Sequence, residues 1–277
     1  MGIRLKDIIK LATPPVILNL ADRLLSDQYY GLTGDYSRWN DAMAASTGYD
    51  SEIILKKTKE ALLKVKNGEA VYERDSVLFN EIQYSWPLLA GLLWVATRYG
   101  GKLNVLDFGG SLGSTFFQNR CFLTSLPMGV RWNIVEQTRY VETGKKWFEN
   151  DYLRFYSDFS DCLAENKPNV TLLSSVLQYL EHPYEIINKI EELPCDYIII
   201  DRTPFWNGPS DRLCVQTVPP SIYRASYPSW IFSIPGFHTY LNNKWKIIAA
   251  FDSFDNLNAP VKTVWQGFIL EHKRHAK

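Results

Sequence analysis

The sharpest chemical signal in the 277-residue chain is the run V-L-D-F-G-G-S-L-G-S, residues 105–114. It follows an apolar stretch that reads as a strand and precedes a helical stretch, Thr115–Leu126. Gly109 and Gly110 allow a tight turn and a close approach of backbone to ligand. The helix that follows offers free N–H groups to an anionic group. Two ligand classes use such a turn. The nicotinamide dinucleotide fingerprint needs G-x-G-x-x-G. Aligning its last glycine on Gly113 puts Phe108 where the first belongs, so the pattern fails there. The S-adenosylmethionine (SAM) pattern needs an acid at the strand end and then alternate glycines. Asp107, Gly109 and Gly113 supply three of its four anchors, Ser111 stands at the middle glycine, and the acid can accept from the cofactor's amino group, directly or through water. A plain tight turn without a ligand is the remaining reading.

Three further clusters fall at the ends of later strands. Glu136, in I-V-E-Q, can accept both hydroxyls of a ribose, as acids at that place do in nucleotide-binding sheets. Asp158 can hold an adenine amino group with Phe159 flanking the ring, or it can cap a helix. Ser174 and Ser175 open S-S-V-L-Q-Y-L-E-H, residues 174–182, at the fourth strand's carboxyl end, where open α/β sheets bind ligands. Its Gln178 and Tyr179 would lie beside a reacting group, with a simple strand-to-helix turn as the alternative.

The elements that must position these residues read as follows. Strands are expected at 103–109, 131–137, 153–158, 169–175 and 195–201, separated by helices such as Arg139–Asn150 and Tyr184–Leu193. Each strand is nearly continuous in hydrophobicity, which suits burial on both faces of a parallel sheet. Lys244–Phe251 and Thr263–Glu271 are strands joined without a helix, so they should pair antiparallel. The expected fold is α/β: a doubly wound, mostly parallel, seven-stranded, Rossmann-like sheet with an antiparallel terminal hairpin. That hairpin is absent from an ordinary dinucleotide-binding domain. Residues 1–101 read as an N-terminal helical cap or lid region, with helices over Leu5–Leu11, Val16–Leu25, Ser51–Lys66 (Ser51 as N-cap) and Phe79–Tyr99, the last kinked at Pro87. Residues 102–277 read as the SAM-binding domain, with 203–243 as a substrate-cap insertion.

Composition narrows the function classes. Thirty basic residues balance thirty acidic ones, so no global attraction to nucleic acid is expected. Lys56, Lys57, Lys59, Lys64 and Lys66 read as the wet face of a helix. The four cysteines have no metal-ligand spacing, no metal site is legible, and free thiols in a reducing compartment are expected. There is no signal-peptide apolar core, and the longest apolar run, Trp86–Ala96, is too short to span a bilayer. A cytoplasmic protein without a transmembrane segment is the expectation.

The chain resembles a family of class I SAM-dependent methyltransferases found among bacterial lipopolysaccharide and surface-polysaccharide genes. The resemblance covers most of the chain. It rests on G-L-T-G-D-Y (31–36), V-L-D-F-G-G-S-L-G-S, I-V-E-Q, S-S-V-L-Q-Y-L, D-R-T-P-F (201–205) and V-Q-T-V-P-P-S-I-Y-R-A-S-Y-P-S-W (215–230). It implies the fold and SAM as cofactor, without a defined acceptor.

Methyl transfer from a sulfonium is an in-line displacement that needs alignment and, for some acceptors, a base. The acceptor should face the ends of strands four and five, beside Gln178, Tyr179, Asp201 and Arg202. The segment 204–240 should fold over it, bringing Arg224, Tyr227 and Trp230. Aromatic rings with arginine suit a sugar or sugar phosphate, and equally a cap that packs its own rings. His238, Asp201 and Tyr179 are the candidates for handling a proton. The expected partner is a small molecule, a sugar among the candidates. The N-terminal helices fit a lid, a dimer surface (hence a homodimer) or a membrane-surface contact. Two competing readings stay open: a nicotinamide-dependent oxidoreductase or epimerase, and a SAM-fold binding protein without catalysis.

Overall fold

The structure, a computed structural model, describes residues 30–48, 51–220 and 222–274. The expected helices over Leu5–Leu11 and Val16–Leu25, and capping by the Ser51 side chain, fall outside the described residues.

In chain order the elements are β1 (Gly31–Tyr36), α1 (Trp39–Ala44), α2 (Ser51–Lys66), β2 (Tyr72–Arg74), β3 (Val77–Phe79), α3 (Trp86–Arg98), β4 (Leu103–Phe108), α4 (Ser114–Leu123), β5 (Val130–Val135), α5 (Thr138–Trp147), β6 (Leu153–Tyr156), α6 (Phe159–Glu165) and β7 (Val170–Ser174). A 3-10 turn (Leu177–Tyr179) follows, then α7 (Pro183–Glu191), β8 (Tyr197–Trp206), β9 (Arg212–Thr217), β10 (Ser226–Ser233), α8 (Ile234–Leu241), β11 (Trp245–Asp252) and β12 (Thr263–His272).

The central sheet runs β6-β5-β4-β7-β8-β12-β11. β6, β5, β4, β7 and β8 are parallel, whereas β12 is antiparallel to both β8 and β11. This is the Rossmann-like methyltransferase sheet with its antiparallel hairpin. Each parallel strand is buried on both faces, which is why it reads as a continuous apolar run. Val105, Trp132 and Ile199 share one core with Leu62 of α2, Leu88 and Leu92 of α3, Phe117 of α4 and Val141 of α5. Leu106, Leu173, Ile198 and Ile200 share the other with Cys162 of α6, Ile187 of α7 and Phe237 of α8. All four cysteines are free thiols, and only Cys121 is exposed.

Several boundaries differ from expectation, each for a local reason. The helix expected over Phe79–Tyr99 begins at Trp86, with Pro87 in its first turn rather than at a kink. A missing N–H costs nothing there. The described part of the N-terminal region holds helices but also β1, β2 and β3. Its helices α2 and α3 contribute to the core under the parallel strands, so no core boundary falls at residue 101. β8 runs through Trp206, beyond the expected end at 201. Its far end pairs with β10 (Phe205 with Phe232), β10 pairs with β9, and β9 with β1. The stretch 203–243 is thus a β-ribbon and a helix, woven to residues 31–36 of the N-terminal region.

The terminal hairpin is tied to the helical layer by Glu191, whose carboxylate accepts from Lys244 Nζ (2.7 Å) and from the buried Trp245 Nε1 (3.1 Å). Glu191→Ala would leave the indole N–H buried without an acceptor, at about 1–3 kcal/mol. Urea denaturation should show that loss, and Glu191→Gln, which keeps an acceptor oxygen, should lose less.

Candidate functional site

The strand order reverses between β4 and β7, since β5 and β6 lie to one side of β4 and β7 and β8 to the other. Ligands of open α/β sheets bind at such a reversal, outside the carboxyl ends of the strands. The register brings those ends level: Phe108 pairs with Val135, and Ser174 with Asp201.

The glycine turn sits at this reversal. Gly109 has φ +72, and a β-carbon there would lie 2.4 Å from Val176 Cγ2, across the gap to the β7 end. A β-carbon on Gly110 would lie 2.3 Å from Asp107 Oδ2. Gly113 (φ +100) is the N-cap of α4 and has no side chain to cap with. Ser111, at the fingerprint's middle glycine, has φ +54. The backbone conformation that favours glycine is therefore kept, and serine adopts it at a steric cost.

Asp107 is 1% exposed and accepts a 2.8 Å bond from Trp132 Nε1 on β5. Burial pushes its carboxyl up to about 7, and the Trp132 bond opposes the shift. Glu136 follows β5 and accepts from the Gln137 N–H at 2.6 Å, with the Ser111 N–H close enough to favour its charge. Burial raises its pKa, and the Gln137 bond with the nearby Ser111 N–H opposes the rise. The second-strand acid thus lies beside the glycine turn. Asp158 is the N-cap of α6, accepting from the Asp161 N–H at 2.8 Å and Ser160 Oγ at 2.7 Å, and the Asp161 bond holds its pKa low. Phe159 stacks on Phe108 with centroids 5.2 Å apart, so the last residue of β4 and the first residue of α6 form one aromatic face.

Ser174 ends β7 opposite Asp201. Ser175 (φ +54) donates its N–H to Asp201 O at 3.0 Å. Asp201 is buried and accepts from the Arg202 N–H and Ser253 Oγ, both at 2.9 Å; burial raises its pKa and the Ser253 bond opposes that. Arg202 (φ +54) lays its guanidinium across Asp255 (2.9 and 3.0 Å) and reaches Asp75 Oδ2 at 2.6 Å. Burial opposes its charge, and the two aspartates prevail. Tyr179 donates to Gln216 Oε1 at 3.0 Å and meets Tyr227 edge-on at 5.2 Å. Burial raises its pKa first, and the Asp75 carboxylate adds to the rise. Asp75, Arg202, Tyr179, Gln216 and Tyr227 therefore share one place, between the carboxyl edge and the β9–β10 ribbon.

Other expected site residues are placed differently. Gln178 is wholly buried: its amide donates to Ser175 Oγ and Arg202 O, both at 3.2 Å, and joins the β7 turn to β8 instead of facing a ligand. His238 lies on α8 with its ring edge-on to Phe268 at 5.5 Å, a packing contact on the face of the sheet. Trp230 donates to Leu180 O at 3.0 Å and stacks on Trp39. These contacts hold its ring between α1 and the end of the 3-10 turn. Arg224 is exposed, in the loop between β9 and β10.

Residues that sequence reading did not single out also converge here. Asp75 and Ser76 form the two-residue turn of the β2–β3 hairpin, with φ +52 and +69. The non-glycine residues with positive φ among the described ones are Asp75, Ser76, Ser111, Ser175 and Arg202. All belong to this hairpin or to turns and a strand at the carboxyl edge. Strained backbone concentrated at one place is characteristic of functional sites.

Glu73, in the same hairpin, is 1% exposed and is also pushed up to about 7 by burial, against bonds from Ser114 and Ser76. Asp107 and Glu73 both ionise in the unfolded chain near their ordinary values, well below 7. Between those values and 7 the folded state holds protons that the unfolded state has lost, so stability falls as pH rises. The ligand-free protein should melt at a higher temperature at about pH 5 than at about pH 7.5, and Asp107→Asn should flatten that slope.

No family model and no curated protein matches the sequence. Among solved structures, the chain is similar to the N-terminal domain of EvdMO1, determined in the presence of SAH and D-fucose, at 11% identity over 81% of this chain and 97% of that one, with a TM-score of 0.48. It is similar to a S-adenosylmethionine-dependent methyltransferase from Clostridium acetobutylicum at 10% identity, over 66% of this chain and 89% of that one, with a TM-score of 0.44. A third is N-methyltransferase NodS from Bradyrhizobium japonicum in complex with SAH, at 12% identity, over 68% of this chain and 87% of that one, with a TM-score of 0.40. The fold is assigned from the strand order, not from these likenesses.

Proposed function

We propose that the chain is a SAM-dependent methyltransferase acting on an oxygen, or else a nitrogen, of a small molecule. The observation that carries this reading is a glycine turn and Glu136 at adjacent strand ends, at the strand-order reversal of a sheet that ends in an antiparallel hairpin. The donor set fits the cofactor. Turn N–H groups and the α4 start suit a carboxylate, Glu136 suits a ribose diol, and the Phe108–Phe159 face with Asp158 suits an adenine. Gly109, Gly110 and Gly113 let the turn pack directly against Val176, Asp107 and Leu153, which fixes its backbone at the strand ends. A nicotinamide dinucleotide fits less well, because Phe108 stands where its fingerprint needs the first glycine.

When bound, SAM supplies an electrophilic methyl on a sulfonium. The chain's residues then have to align an acceptor with it and exclude water. Tyr179, Gln216 and Tyr227 offer rings and hydrogen-bonding groups on the ribbon side, and Arg202 with Asp75 offers charge on the other. Such a lining suits a polyol, and the resemblance to enzymes of surface-polysaccharide gene clusters supports a sugar or nucleotide-sugar acceptor. Tyr179 is the proton-handling candidate best placed for it. Asp201, buried and bonded to Ser253, supports the turn, and His238 has no part in this arrangement.

Calorimetric titration should give micromolar binding of S-adenosylhomocysteine and none of NAD or NADP. Gly109→Ala, which drives a β-carbon towards Val176, should weaken that binding at least about tenfold, a change of roughly 1.4 kcal/mol. Binding of NAD, or unchanged affinity in Gly109→Ala, would contradict the assignment.

A further inference from the structure

The β2–β3 hairpin is fastened to the glycine turn's helix. Tyr72 Oη accepts from Gln118 Nε2 of α4 at 3.1 Å. Glu73 Oε2 accepts from Ser114 Oγ at 2.6 Å, and Ser114 is the first residue of α4, directly after Gly113. Glu73 Oε1 accepts from the Ser76 N–H at 2.7 Å, across its own turn. Both hydrogen-bonded donors are neutral. The guanidinium whose charge acts on it, Arg202, is already claimed by Asp75 and Asp255. A carboxylate buried this deeply is stable in its charged form only beside a cation.

The cofactor reading supplies one. The end of the cofactor that meets a glycine turn and a helix start carries one carboxylate and one ammonium. The turn N–H groups suit the carboxylate. The ammonium needs an acceptor, and Asp107, the acceptor expected from the fingerprint, lies beneath the turn, where a β-carbon on Gly110 would meet both of its oxygens. We propose that Glu73 is the residue that receives the α-ammonium of the cofactor's methionyl end, so that the hairpin Tyr72–Phe79 forms a wall of the cofactor site. The proposal rests on the SAM reading above. It adds a binding residue from outside the fingerprint, 34 residues before Asp107 in the chain.

The test pairs a protein change with a ligand change. The probes are S-adenosylhomocysteine and its desamino analogue, in which hydrogen replaces the α-amino group. The proteins are wild type and Glu73→Gln, which keeps a carbonyl oxygen for the Ser76 N–H and an amide to meet Ser114. Titration calorimetry should show that wild type binds the desamino analogue about 10- to 100-fold more weakly than S-adenosylhomocysteine, the range expected for a hydrogen bond to a charged group. Glu73→Gln should lose a similar factor for S-adenosylhomocysteine and leave the analogue's affinity unchanged. That unchanged affinity also shows that the variant is folded. Equal binding of S-adenosylhomocysteine by both proteins would overturn the proposal, as would a loss by Glu73→Gln that is the same for both ligands. A wild type that binds neither ligand would instead overturn the cofactor reading, and the role of Glu73 with it.

Discussion

The buried hydrogen bond from the Trp132 indole to the Asp107 carboxylate joins the end of β4 to its neighbour β5 just where the chain must turn. An acid held in that way cannot swing out to solvent. The turn that follows is fitted against it, since a β-carbon on Gly110 would collide with its oxygen. Glu136, just past the end of β5, accepts from the Gln137 N–H and lies beside the same turn, whose Ser111 N–H favours its charge. Two strands and one loop are therefore set by a small group of polar contacts in an otherwise apolar sheet. The parallel strands around them provide rigidity, and α2 to α5 on one face and α6 to α8 on the other provide the burial that makes those contacts strong.

Around this group the protein carries unfavourable features that a purely structural core would avoid. Five non-glycine residues adopt left-handed backbone, and Asp107 and Glu73 are buried acids whose hydrogen-bond donors are neutral. Each costs stability. Their concentration at the carboxyl edge fits a site shaped for a ligand that brings positive charge. A cofactor with a sulfonium and an ammonium meets that need. A dinucleotide, with its pyrophosphate, would add negative charge to it.

The parallel strands and the terminal hairpin were legible because burial on both faces forces continuous apolar runs, and because no helix fits between β11 and β12. The turn at 107–113 was legible because its glycine positions answer a steric demand, which Ser111 meets without being glycine. The ribbon was not legible. Pro204 and Pro228 read as strand breakers, yet Pro204 pairs with Trp265 and Pro228 with Val215. β1 finds its partner 182 residues away, between Thr33 and Val215, which no local pattern announces. Glu73 and Asp75 were overlooked because charged residues in a short polar stretch read as solvated, and only the tertiary fold buries the first and gives the second to Arg202. Gln178 and His238 show the other side of the same limit. Their types suggested chemistry, while burial and ring packing gave them structural work.

The central claim is that the carboxyl edge between β4 and β7 is a SAM site. A crystal structure of the protein grown with S-adenosylhomocysteine tests it most directly. The account predicts ligand density with the amino-acid end against residues 109–113, the ribose at Glu136 and the adenine beside Phe108 and Phe159. Density elsewhere, for example in the open cavity of about 470 Å³ lined by Thr97, Arg98, Tyr99, Asp196 and Tyr197, would contradict it.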